Sequence, residues 1–112
     1  MIDAENIGEI IAVYEKHGWV LRRVLLTPTL KARVNDGISQ FVDGVQVIDA
    51  EVDAAWFSRP PLSGGVAWEI RHLGETPYAL VENVDEYSTD FEDALCSVET
   101  RLGESIGKVK RA

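Results

Sequence analysis

The stretch that decides the fold is residues 54–73, AAWFSRPPLSGGVAWEIRHL. Two apolar runs, which contain Trp56 and Trp68, flank the turn-forming segment PPLSGG at 60–65. Aromatic, partly alternating runs separated by proline and glycine are typical of a β-hairpin. The sequence therefore predicts two antiparallel strands joined by this turn.

Alternating hydrophobicity continues upstream of the hairpin. Every even position from 48 to 56 is apolar, whereas Asp49, Glu51 and Asp53 occupy odd positions. Because strand side chains alternate between two faces, the pattern predicts a strand over 48–58 with a buried even face. The apolar residues at 48, 52, 55 and 56 also fit one face of a helix, so a helix over 48–57 is the alternative.

The same alternation assigns the faces of the hairpin. If Trp56 and Trp68 share the buried face, Ile70 joins them. A register that fits this assignment sets Ala55 opposite Arg71. We therefore expect both indoles to lie in the core beneath the helices.

Helices are predicted at both ends of the chain. Asp3 is suited to cap a helix over 3–17, and Gly18 is suited to end it. Thr89 and Glu92 have the spacing of a capping box for a last helix that ends at Gly103, followed by a flexible tail over 104–112.

The segment between the first helix and the hairpin is less regular. Residues 19–26 predict a strand, and the tandem Arg22 and Arg23 favour a place at the sheet edge. A short helix is predicted to start at Thr27-Pro28 and to end at 35–37, whereas 38–47 has no decisive period. Residues 66–73 and 78–84 predict two further strands.

This order predicts one α+β domain over 1–103. We expect a two-layer sandwich in which an about four-stranded, mainly antiparallel sheet packs against the N- and C-terminal helices. Two helices cover one face of such a sheet, and the other face is left to solvent or to a partner.

Composition limits the kind of protein. The chain has 112 residues and a formal net charge of −8, which argues against nucleic acid and anionic membranes as partners. The single cysteine and the absence of a signal-peptide pattern at the N-terminus predict a cytoplasmic protein. No apolar run approaches the roughly 20 residues of a membrane span.

The candidate binding residues lie on the odd face of the hairpin: Phe57, Arg59, Glu69, Arg71 and Asp53. An aromatic residue among arginines on an open sheet is typical of a binding surface. The alternative is a cross-strand ladder of exposed ion pairs.

No catalytic residue, cofactor or metal site is predicted. Asp49, Glu51 and Asp53 would lie about 6.5–7 Å apart on a strand, too far to converge on one ion without other ligands. The chain contains no phosphate-binding loop, zinc-ligand spacing or serine-nucleophile motif. A dedicated enzyme is therefore not expected.

Two segments carry a resemblance, DAAWFSRP at 53–60 and AWEIR at 67–71. Together they resemble small bacterial proteins of uncharacterised families. The resemblance covers only the hairpin and the strand after it, and it implies no activity.

We expect a noncatalytic interaction module that self-associates as a homodimer, with an unidentified protein as a further partner. The alternative is a small-ligand-binding or enzymatic domain that uses the arginine-bearing face of the hairpin. A concave pocket converging on Arg59 and Arg71 would favour the alternative, and a flat apolar patch would favour the dimer.

Overall fold

A computed structural model describes residues 3–38, 45–59, 66–74, 79–83 and 87–111. Within these ranges the elements are α1 (Ala4–Lys16), β1 (Val20–Leu26), α2 (Pro28–Ile38), β2 (Gln46–Asp49), β3 (Ala54–Arg59), β4 (Ala67–His72), β5 (Ala79–Asn83) and α3 (Phe91–Arg111). The predicted turn at 60–65 lies outside the described residues.

The strands form one sheet in the order β2-β1-β3-β4-β5. β1 and β2 are parallel, and every other neighbouring pair is antiparallel. The predicted α+β class, with a mainly antiparallel sheet and N- and C-terminal helices, is confirmed. The sheet has five strands rather than about four.

The predicted long strand over 48–58 is two strands, β2 and β3, with β1 between them in the sheet. The helical alternative for 48–57 is wrong. The alternation nevertheless assigned the face correctly, because Ile48, Ala50 and Val52 pack against the same core as Trp56. The predicted edge position of β1 is wrong, since β1 pairs on both sides.

A β-bulge explains how an interior strand accommodates two adjacent arginines. The β1–β3 register shifts between Leu21 and Arg23, so that Arg22 is an extra residue. Arg22 donates to Ser58 on the even face, and Arg23 reaches α3 on that same face. The bulge thus directs both charges to one face and leaves Leu21 and Val24 in the opposite core.

The helices lie on both faces of the sheet. α1 and α2 pack over Ala55 and Phe57, whereas α3 packs over Ala54 and Trp56. The expectation that the helices share one face of a two-layer sandwich and leave the other open is therefore wrong, and the sheet is the middle of three layers. The physical reason is β3 itself: residues 54–58 are all buried, and a strand that is apolar on both faces needs cover on both.

The hairpin assignment is confirmed. Trp56 and Trp68 are 0% and 1% exposed, and Ile70 lies with them in the core beneath α3. Ala55 pairs with Arg71, as the predicted register required.

The start of the chain follows the predicted capping pattern. Asp3 caps α1 in a reciprocal capping box with Asn6, and Gly18 follows the helix with a φ of 88°. Thr27 accepts a hydrogen bond from the Leu30 amide, as a residue that caps α2 should.

Each of the two glycines predicted to end a helix lies inside that helix, where the lack of a side chain allows close packing. α2 continues through Gly37 to Ile38, and a Cβ on Gly37 would lie 2.8 Å from the Cβ of Ala4 in α1. α3 continues through Gly103 to Arg111, and a Cβ on Gly103 would lie 3.1 Å from Val52 Cγ1. The flexibility of 104–112 stays a prediction.

The predicted capping box at the start of α3 does not form. α3 begins at Phe91, and Glu92 pairs with Arg23 rather than with the backbone ahead of the helix. That pairing fixes the first turn of α3 to β1. No helix in the described ranges is long and apolar enough to cross a membrane.

Candidate interaction surface

Phe57 is fully buried, which contradicts its predicted exposure on an open sheet face. The odd face of β3 is covered by α1, and the Phe57 ring stacks on Tyr14 with centroids 4.1 Å apart and planes 12° from parallel. Offset aromatic stacking of this kind stabilises the contact between a helix and a sheet. Phe57 is thus part of the α1 core.

Arg59 is exposed, but its guanidinium is held by the end of α1. Its Cζ lies 4.6 Å from the centroid of the Trp19 ring, and its Nη1 donates to the His17 carbonyl at 3.2 Å. A cation at the C-terminus of a helix is favoured by the helix dipole, and the indole adds a cation–π contact. These contacts link the end of β3 to the turn after α1.

Glu69 and Arg71 lie on the odd face of β4 and are half-buried. The Tyr14 hydroxyl donates to Glu69 Oε2, and Arg71 donates to the carbonyl of His72. Burial raises the pKa of Tyr14 well above its ordinary value of 10, the Glu69 carboxylate raises it further, and Arg71 opposes the rise. Tyr14 is therefore a neutral hydrogen-bond donor at physiological pH.

Asp53 lies just before β3 and organises the backbone around it. Its Oδ1 accepts a hydrogen bond from the Thr27 amide nitrogen, 2.7 Å away, and its carbonyl oxygen accepts one from the Leu73 amide nitrogen, also 2.7 Å away. Through these two hydrogen bonds, Asp53 connects the start of α2 to the end of β4.

The five predicted residues do not converge on one site. Arg71 is opposite Ala55, four residues from Arg59 along β3, which separates the two backbone positions by about 13 Å at strand rise. No ion pair joins these residues within the described chain, so the predicted ladder does not form. The ligand-binding alternative, which depends on convergence of the two arginines, stays a prediction.

Within the described ranges, the helices leave an area of the odd face uncovered at the β5 side of the sheet. α1 and α2 lie over β1, while α3 lies over β4 and β5 on the even face. The odd-face residues of β4 and β5 in this area are the half-buried Glu69 and Arg71 and the exposed Ala79 and Val81, which together we call the open patch. Val81 is 57% exposed, whereas Trp68 and Ile70 on the even face of the neighbouring strand are 1% and 0% exposed.

A second polar group lies on the even face and was missed by the sequence analysis. Ser58 and Trp68 face each other across β3 and β4, and Arg22 from the bulge of β1 reaches both. The tandem arginines in an apolar strand were a signal of this group, but a bulge is needed to direct Arg22 to this face.

The acidic residues Asp49, Glu51 and Asp53, which were predicted to lie on one strand face, do not lie on one strand. Asp49 pairs with Lys31 at 2.8 Å, and Glu51 is exposed in the bend after β2. Across the ranges that the structure describes, no group of three or more histidine, cysteine, aspartate or glutamate side chains could hold a metal ion.

Comparison of the chain with protein-family models, with curated proteins and with solved structures gave no match.

Proposed function

We propose that the protein is a noncatalytic interaction module that forms a homodimer through β5 and the open patch. The observation that carries the proposal is Val81, an apolar side chain that is 57% exposed on an edge strand. Ala79, the neighbouring residue on the same face, is also exposed. Together they present apolar surface next to strand backbone that pairs with no other described strand on its outer side.

The position of β5 at the edge of the sheet also favours association. Among the residues that the structure describes, β5 is the last strand in the sheet order and pairs only with β4, so its outer side offers backbone donors and acceptors to another strand. The opposite edge strand, β2, exposes the polar residues Gln46 and Asp49, whereas β5 exposes the apolar residues Ala79 and Val81. β5 is therefore the edge that suits association.

Two copies of β5 can pair antiparallel about a two-fold axis at Val81. Such an interface is isologous, so a single self-complementary surface is sufficient. Glu69 and Arg71 beside it carry opposite charges and leave the open patch neutral, although the whole chain has a net charge of −8. Local neutrality reduces the repulsion that two acidic copies would otherwise experience.

Light scattering after size exclusion, at micromolar protein concentration, tests the dimer. The wild type should have the mass of two chains, and Val81→Asp and Val81→Lys should each give a folded monomer by circular dichroism. Two substitutions of opposite charge separate loss of the apolar contact from a change in net charge.

Val13→Asp is the matched control, because Val13 is 55% exposed on α1 and receives the same change of charge. It should leave the dimer intact. A monomeric wild type would refute the proposal, and a dimer that survives both Val81 substitutions would exclude β5 as its interface.

A further inference from the structure

Three exposed basic residues meet where α1 ends: Lys16, His17 and Arg59. Lys16 lies in the last turn of α1, and His17 follows it as the C-cap. Arg59 reaches the same point from the end of β3, because its Nη1 donates to the His17 carbonyl oxygen at 3.2 Å. We call these three residues the basic patch.

The Arg59 guanidinium is held in place from below. Its Cζ lies 4.6 Å from the centroid of the Trp19 ring, and that ring in turn meets Tyr14 edge-to-face. The stem of Arg59 follows the turn after α1, since a Cβ on Gly18 would lie 3.6 Å from Arg59 Cδ. A guanidinium that is already ordered loses less conformational entropy when it binds a ligand.

The basic patch is a local positive charge in an acidic protein. Aspartate and glutamate outnumber lysine and arginine by 19 to 11, so basic side chains are expected to find carboxylates within the chain. Arg23 pairs with Glu92, and Lys31 pairs with Asp49. Within the described ranges, no carboxylate forms an ion pair with a residue of the basic patch.

Apolar surface adjoins these charges. Val13 lies three and four residues before Lys16 and His17, hence on the same side of α1, and is 55% exposed. Glu15 lies about 200° around the helix from His17, which places its charge away from that side. The dipole of α1 favours cations at this end, but it does not require an arginine from another strand or an exposed valine. Arginine next to aromatic and apolar side chains is typical of protein-binding surfaces.

We propose that the basic patch binds an acidic peptide segment of a partner protein. Carboxylates of the segment accept hydrogen bonds from Arg59 and Lys16, and an apolar side chain of the segment packs on Val13. The planar fork of arginine matches the two oxygens of a carboxylate. β4 separates β3 from β5 in the sheet, so the basic patch does not depend on the dimer.

The net charge of −8 favours a short peptide over nucleic acid at this place. At physiological ionic strength, exposed charges more than about 8 Å apart are largely screened from each other. A short segment therefore responds mainly to the basic patch, whereas a long polyanion also meets the acidic surface around it.

Two-dimensional ¹⁵N NMR of the indole N–H groups tests the site. The probe is a blocked peptide of six glutamates around a central leucine, titrated at constant ionic strength with sodium chloride as the balancing salt. The Trp19 signal, assigned from Trp19→Phe, should shift and saturate. The signals of Trp56 and Trp68 should stay in place, because both side chains are buried beneath α3.

Arg59→Gln should weaken binding of this peptide about tenfold, as the loss of a charge-assisted hydrogen bond predicts. Lys16→Gln should weaken it about two- to fivefold, as for an exposed ion pair. Lys31→Gln is the matched control, because it removes the same charge from a lysine that already pairs with Asp49. It should leave the affinity unchanged. If Arg59→Gln does not fold, Arg59→Lys keeps the charge without the fork and should also weaken binding.

The apolar part of the site is tested with a second blocked peptide, which has six glutamates and no leucine. The leucine peptide should bind more tightly than this one, and Val13→Ser should remove the difference. Equal binding of the two peptides to the wild type would contradict the role of Val13.

The proposal fails if the Trp19 signal does not saturate with the leucine peptide. It also fails if hexathymidylate or a peptide with lysines in place of the glutamates binds as tightly, or if the folded Arg59 and Lys16 variants bind as tightly as Lys31→Gln. Val81→Asp should retain the Trp19 response, so a failed dimer and a failed peptide site are distinguishable.

Discussion

Trp56 carries the largest single contribution that we expect in the core beneath α3. It is 0% exposed, its ring meets Trp68 edge-to-face at 6.1 Å, and its Nε1 donates to Glu99. Truncation of a fully buried tryptophan to alanine costs about 3–5 kcal/mol, because the cavity adds to the lost burial. The free energy of unfolding of a domain of this size is only about 5–15 kcal/mol, so Trp56→Ala should remove a large part of it.

The contribution of the Trp56–Glu99 hydrogen bond to the free energy of unfolding can be measured separately from that of the Trp56 ring. Trp56→Phe keeps an aromatic ring in the core but removes the donor to Glu99. Because Glu99 is only half-buried, water can replace that donor, and we expect Trp56→Phe to cost less than Trp56→Ala. Trp19→Ala is the matched control: Trp19 is half-buried, so its truncation should cost less than that of Trp56.

Urea unfolding followed by far-UV circular dichroism measures these differences. All variants should be compared at one protein concentration, because the stability of a dimer depends on it. If Trp56→Ala costs no more free energy of unfolding than Trp19→Ala, the assignment of Trp56 to the centre of this core is refuted.

Two further predictions concern α1. The pKa of Tyr14 is higher in the folded protein than the ordinary tyrosine value of 10. The stabilisation by its neutral hydroxyl is therefore fully present below pH 10 and is lost as the pH rises through the pKa of the folded protein. The wild type should therefore lose more free energy of unfolding between pH 7 and pH 11 than Tyr14→Phe does, and equal losses would contradict the contact with Glu69. Gly37→Ala should cost about 1–3 kcal/mol by thermal or urea unfolding, because its Cβ would lie 2.8 Å from that of Ala4. Ala4→Gly in the same chain should recover part of that loss, and a stabilising Gly37→Ala would show that α1 and α2 do not pack this closely.

Local chemistry allowed much of the fold to be predicted. Asp3 and Gly18 bound α1 as their capping preferences required, and the even positions from 48 to 56 indicated a shared buried face. The pairing of Ala55 with Arg71 followed from placing both hairpin tryptophans on that face. These features depend on nearest neighbours along the chain and on the two-residue period of a strand, so a single sequence contains them.

The candidate surfaces required the tertiary structure. Phe57 has the same local pattern whether its face is open or covered, and only the position of α1 on the odd face buries it beneath Tyr14. The exposure of Val81 likewise depends on β5 being the last strand and on the helices leaving that half of the odd face uncovered.

What the sequence by itself determined is the α+β class, most of the elements and the alternation of faces along β3 and β4. What only the tertiary structure decided is which helix covers which face, that β1 lies between β2 and β3, and that a bulge directs Arg22 to Trp68. The physical reason is that periodicity tells which side chains share a face, whereas the neighbour against which a face packs is set by contacts between residues distant in the chain.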